Sequence, residues 1–109
     1  MSFRDRLRRI PTVDAHEAMR LVEAGALVVD VRGGREWARQ HVPGAVHLPL
    51  RDLEARALEL PDDRLIVTFC TAGLLSRGAA RLLTERGFDV VDLAGGLMAW
   101  RAAGGPLVR

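Results

Sequence analysis

Two short apolar runs constrain this chain more than any other feature: residues 26–31 (ALVVDV) and residues 65–69 (LIVTF). Neither alternates polar with apolar positions, and both are rich in β-branched residues. That is the pattern of a strand buried on both faces rather than one lying on a solvated sheet. Such strands need cover above and below, and the intervening sequence supplies it. Residues 14–24 read as a helix that opens on Asp14-Ala-His-Glu17, a capping box in which Asp14 accepts an amide and Glu17 reaches back; Gly25 stops it. Residues 36–40 read as one helical turn, broken by His41-Val-Pro-Gly44. Residues 51–60 show helical spacing up to Pro61. Residues 76–86 place Ala79, Ala80 and Leu83 on one side and Arg77, Arg81 and Glu85 on the other. Gly95-Gly96 opens a last helix to about residue 103, and residues 45–48 and 88–93 read as further strands. Strands separated by helices predict an α/β fold, a parallel sheet with helices on both faces.

The remaining composition narrows the function. A length of 109 residues fits one domain, read as residues 10–109 after a short segment 1–9. No run approaches the roughly 20 apolar residues of a membrane-spanning helix. The first ten residues carry charges where a signal peptide would have its apolar core, so a cytoplasmic protein without membrane contact is expected. All 16 basic residues are Arg, and 14 acids leave a net charge of +2. The only basic cluster is Arg4, Arg6, Arg8 and Arg9, with no interleaved aromatics, so nucleic-acid binding is not expected. His16, His41 and His47 have no ligand spacing, and one cysteine cannot form a CxxC site, so no metal is expected. Gly95-Gly96 falls short of a dinucleotide fingerprint. The expected oligomeric state is a monomer or a weak dimer.

Cys70 is the only cysteine. As a residue type it is either a small buried hydrophobe or a reactive thiol. Its position favours the second. It follows the LIVTF strand and precedes the helix at Ser76, and sites in parallel sheets lie at the carboxyl ends of strands. The loop Cys70-Thr71-Ala72-Gly73-Leu74-Leu75-Ser76-Arg77 leads into a helix N-terminus, where unpaired amides and the helix dipole favour an anion. Gly73 permits positive φ, so successive amides can turn inward as a nest. Ser76 stands where an N-cap belongs, within reach of the sulfur. Such a cradle suits a thiolate, a persulfide or a bound oxyanion.

Three separated motifs give a family resemblance. Asp30-Val-Arg32 with Glu36-Trp37 and His41-Val-Pro-Gly-Ala45 is the first; Cys70-x-x-Gly73-x-x-Ser76 is the second; Leu93-x-Gly-Gly96-x-x-Ala-Trp100 is the third. Together they resemble a single-domain rhodanese. The resemblance implies a rhodanese-like α/β domain with about five parallel strands. It implies a sulfurtransferase in which Cys70 takes the outer sulfur of a donor such as thiosulfate, holds it as a persulfide, and passes it to cyanide or a thiol. The implied binding residues are Thr71, Ala72, Gly73, Leu74, Leu75, Ser76 and Arg77, through the amides of residues 71–76. No cofactor is implied beyond the covalent sulfur. A sulfur-relay protein is a further partner consistent with this chemistry. Many family members carry Arg where this chain has Leu75. An apolar rim of Leu74 and Leu75 suits a protein-bound persulfide at least as well as thiosulfate. The family's phosphatase relatives use a longer loop ending in Arg, so phosphatase chemistry is not expected.

Other polar residues read as support. Asp30 and Arg32 read as a structural ion pair or as loop hydrogen-bonders, Glu36 as the partner of Arg32 or Arg35, and His41 as a loop hydrogen-bonder rather than a base. Trp37 and Trp100 read as core or rim. The alternative to an enzyme is a non-catalytic rhodanese-like binding module, or a persulfide carrier with little thiosulfate activity. The missing loop arginine supports that alternative. The retained Cys70, Gly73 and Ser76 oppose it.

Overall fold

A computed structural model describes residues 10–109; the arginine cluster of the first nine residues lies outside them. Five strands form one sheet: β1 (Thr12–Val13), β2 (Leu27–Asp30), β3 (Val46–His47), β4 (Ile66–Phe69) and β5 (Val90–Leu93). Their order is β1-β5-β4-β2-β3, and every pairing is parallel. The expected α/β fold is therefore present, and the two apolar runs occupy β2 and β4, paired to each other from Leu27↔Ile66 to Asp30↔Phe69.

The helices are α1 (Ala15–Glu23), α2 (Gly34–Arg39), α3 (Leu53–Arg56), α4 (Ser76–Glu85) and α5 (Gly96–Ala102). Side chains alternate across β2 and β4 into two cores. Leu27, Val29 and Ile66 pack with Leu53, Ala79, Ala80 and Leu83 from α3 and α4. Val28, Val67 and Phe69 pack with Ala15, Ala18, Leu97 and Trp100 from α1 and α5. Each strand is buried because each face has its own helices.

The structure departs from the sequence reading at several places. Residues 12 and 13 form an edge strand held by β5, which the local pattern did not announce. Two residues are too few for a periodicity, and pairing alone makes them a strand. The helix read over residues 51–60 is one turn of α-helix between two 3₁₀ turns, Leu50–Asp52 and Ala57–Glu59. At α1, Asp14 accepts the Glu17 amide at 2.8 Å, but Glu17 pairs with Arg20 instead of reaching back. The one-turn helix expected at 36–40 starts earlier, at Gly34. Among the described residues, no helix is long and apolar enough to cross a membrane.

Candidate active site

Cys70 stands at the carboxyl end of β4, buried (4% exposed), with its loop running into α4. The Gly73 amide donates to its Sγ at 3.2 Å. Burial pushes the thiol pKa up. Hydrogen bonding from the Ser76 hydroxyl, then from the backbone at Ser76, Leu75 and Gly73, outweighs it, and the net pKa lies below the ordinary thiol value. The anion is thus favoured by dipoles alone, with no cation among the causes.

The loop holds this shape because α5 takes its carbonyls. The Leu97 amide donates to the Cys70 carbonyl at 2.8 Å, and the Met98 amide to that of Thr71 at 3.1 Å. With the carbonyls turned toward α5, the amides are free to face the sulfur. Close approach requires glycines on both sides. Gly73 has φ +89°, and a Cβ there would lie 2.9 Å from the Gly95 nitrogen. Gly96 has φ +57°, and a Cβ there would collide with the Cys70 carbonyl oxygen. The paired glycines, read from sequence as a helix opening and as part of the third motif, are the seat on which the cysteine loop rests.

Ser76 is placed differently from the expectation. Leu75 is the N-cap of α4, without a side-chain cap bond, and Ser76 is the first helical residue. Its hydroxyl is fully buried and meets no partner at full hydrogen-bond geometry. It nevertheless lies close enough to the Cys70 thiol and the Asp92 carboxyl to lower the pKa of both. Asp92 was not singled out from sequence. It is buried beside Thr68, its register neighbour on β4, whose hydroxyl donates to Oδ1 at 3.0 Å. Burial raises its pKa, against the lowering effects of Ser76, Thr68 and the more distant charge of Arg77. A polar residue inside an apolar strand, Val90-Val91-Asp92-Leu93, was the available signal.

A pocket of about 240 Å³ opens over the thiol, lined by Cys70, Thr71, Ala72, Leu74, Leu75 and the Arg32-Gly33 turn with Glu36. Leu74 and Leu75 are 84% and 60% exposed at its mouth. Arg32 reaches the lining, but its charge is committed. Its Nη2 lies 2.7 Å from Asp30 Oδ2, its Nε 3.0 Å from Oδ1, and Nη2 also donates to the Gln40 carbonyl. Both residues are buried, as the reading of a structural ion pair required. Asp30 therefore fixes Arg32, which in turn fixes the wall of the pocket. Arg77 is exposed on α4 and does not line the pocket. Glu36 corrects a further expectation. Arg32 takes Asp30, and Glu36 has no ion pair among the described residues. Its carboxylate instead lies over Gly33, where a Cβ would come within 3.0 Å of Oε2.

His41 does not line the thiol pocket. Its Nδ1 donates to the Trp37 carbonyl at 2.8 Å, its ring stacks on Trp37 at 3.7 Å, and its backbone pairs with Val108. His47 stacks on Trp37 at 4.8 Å and donates from Nε2 to the Arg32 carbonyl. Both imidazoles hold loops.

Residues 14–103 match the family model described as a rhodanese-like domain. The chain belongs to that family. Its rhodanese-like relatives include the "Thiosulfate sulfurtransferase GlpE" of Actinobacillus pleuropneumoniae, 33% identical over 97 residues that cover 87% of this chain and 90% of the relative. A second relative is the "HTH-type transcriptional regulator Rv0324" of Mycobacterium tuberculosis, 37% identical over 84% of this chain; the chain spans 42% of that protein's length. Among solved structures, the rhodanese-related protein of Thermoplasma volcanium superposes with a TM-score of 0.85 at 26% identity, covering 90% of this chain and 97% of that one. The family's sulfurtransferases are thus homologues of this chain at moderate identity.

Proposed function

We propose that this protein is a cytoplasmic sulfurtransferase that carries a sulfane sulfur as a persulfide on Cys70. One observation carries the reading: a buried sulfur at a strand's carboxyl end, held by the Gly73 amide and acidified by neutral dipoles. A thiolate is the attacking species, and a nest of amides stabilises the anion before and after attack. With thiosulfate, the Cys70 thiolate attacks the outer sulfur and forms a new S–S bond. The old S–S bond breaks, and sulfite leaves with its electron pair. An acceptor, cyanide or a thiolate, then attacks the outer sulfur of the persulfide, and Cys70 departs as thiolate. The two half-reactions share only the covalent intermediate, so ping-pong kinetics follow. No cofactor takes part beyond that sulfur.

Thr71, Ala72, Gly73, Leu74, Leu75 and Ser76 surround the transferred sulfur in this reading, and Arg77 stays outside. Leu75 lies where a cation would grip a dianionic donor, and Arg32 is already paired. Thiosulfate is therefore a weak donor, and a protein-bound persulfide is the better one. The second reading, a non-catalytic binding module, is favoured by the same two exposed leucines. Incubation with thiosulfate or a cysteine-desulfurase persulfide, followed by intact mass, separates the two. One added sulfur, lost on reduction and absent in Cys70→Ala, is the expected result. No added sulfur from any donor overturns the enzyme reading.

A further inference from the structure

The Cys70 pocket is not the largest concavity on its face. A groove of about 650 Å³ adjoins it and shares Arg32, Glu36 and Thr71 with it. Besides the Cys70 loop, three segments distant in sequence build this groove. Arg39 comes from α2, Arg101 from α5, and Arg109 from the tail. The tail is held there by the mutual backbone bonds of His41 and Val108, both 2.8 Å, and by Trp100 Nε1, which donates to the Pro106 carbonyl at 2.9 Å. Arg101 donates from Nη2 to Gln40 Oε1 at 2.7 Å, which ties α5 to α2 across the groove.

Charge is unevenly distributed here. Arg32 is neutralised by Asp30. Among the described residues, Arg39, Arg101 and Arg109 form no ion pair, and Glu36 is the one acidic side chain in the lining. Three guanidinium side chains against one side-chain carboxylate leave the lining net positive. The cations absent from the thiol pocket stand beside it. On the thiol pocket's own rim, Leu74 and Leu75 are exposed. Exposed leucines at a site mouth gain from a partner wide enough to cover them, which a small anion in the groove is not.

We propose that this groove docks an acidic segment of a partner protein that exchanges sulfur with Cys70, the carboxylates lying on Arg39, Arg101 and Arg109 and an apolar side chain on Leu74 and Leu75. The inference rests on the persulfide reading for its chemistry, but the docking itself does not. In the transfer, the partner's thiolate attacks the outer sulfur of Cys70–S–SH. The bond to Cys70 breaks, Cys70 leaves as thiolate, and the proton stays on the transferred sulfur.

Two labelled peptides of about a dozen residues test this, each with one cysteine and one leucine, one rich in Glu and Asp and the other rich in Lys. Anisotropy with the sulfur-free protein measures docking, and intact mass after mixing with the persulfidated protein measures transfer. The acidic peptide should bind at least about tenfold tighter at low ionic strength, with the preference fading toward 1 M salt. It should also take sulfur faster. Arg39→Ser combined with Arg101→Ser should collapse the binding ratio, with circular dichroism and Tm checking that the variant folds. Equal binding of the two peptides, or a ratio that survives in the folded double variant, overturns the proposal. So does a dicarboxylate tripeptide thiol that binds as tightly as the full acidic peptide, which would make the occupant a small acceptor. Retained acidic preference without persulfide formation would overturn the Cys70 chemistry and leave the docking surface standing.

Discussion

At the scale of single residues, Ser76 is shared between two acids. Its buried hydroxyl lies near both the Cys70 sulfur and the Asp92 carboxyl, and it lowers the pKa of each. Ser76→Ala should move the pH midpoint of Cys70 alkylation upward, toward the ordinary thiol value; an unchanged iodoacetamide profile would refute this. For Asp92, burial raises the folded carboxyl above its unfolded value. The folded state then holds the proton longer than the unfolded state, so this group costs stability as pH rises through that window and costs nothing extra below it. Asp92→Asn, which keeps an acceptor for Thr68, should be more stable than the parent at neutral pH. Urea midpoints should show that advantage shrinking on acidification toward about pH 4. An advantage that grows on acidification would contradict the sign. Leu75→Arg puts a guanidinium on the pocket rim and should lower the thiosulfate KM about tenfold, the value of one charge-assisted hydrogen bond. Steady-state kinetics at low and saturating donor would detect it.

Among elements, the contact that shapes the site is between the Cys70 loop and the start of α5. Two amides of α5 bind two loop carbonyls, and Gly73, Gly95 and Gly96 let the backbones meet. Gly96→Ala adds a Cβ against the Cys70 carbonyl at positive φ, so it should cost about 1–3 kcal/mol and weaken thiol acidification together. Thermal melts and the alkylation profile would show both. Gly34→Ala, with open space around it, is the control. The motif glycines were plain in the sequence, but their partner was not, because residues 73 and 96 lie 23 positions apart and only the fold joins them. Likewise, Leu53, Ala57, Leu58 and Leu60 suggested one helix, yet Leu58 is 91% exposed and the segment breaks into 3₁₀ turns. A short segment whose Leu53, Ala57 and Leu60 join the core with Leu27, Val29 and Ile66 is set by tertiary contacts rather than by propensity.

Across the whole molecule, stability follows the sheet order. β4 and β2 are central and wholly buried; β1 and β3 are two-residue edges. Native-state hydrogen exchange should therefore find the slowest amides in residues 66–69 and 27–30, and faster ones in residues 12–13 and 46–47. Comparable protection at centre and edge would contradict this. The alternation of buried strands with amphipathic helices was legible along the chain, since burial on two faces leaves a purely local mark of continuous β-branched residues. Cys70 was legible for a related reason: strand, glycine loop and helix start are consecutive, so their geometry is local. Two things became visible only once the chain was folded: the buried Asp92 behind the loop, and the assembly of Arg39, Arg101 and Arg109 into one groove. Each depends on side-chain direction or on distance between separated segments. Local periodicity records whether a residue is buried, but not which distant charge it will meet.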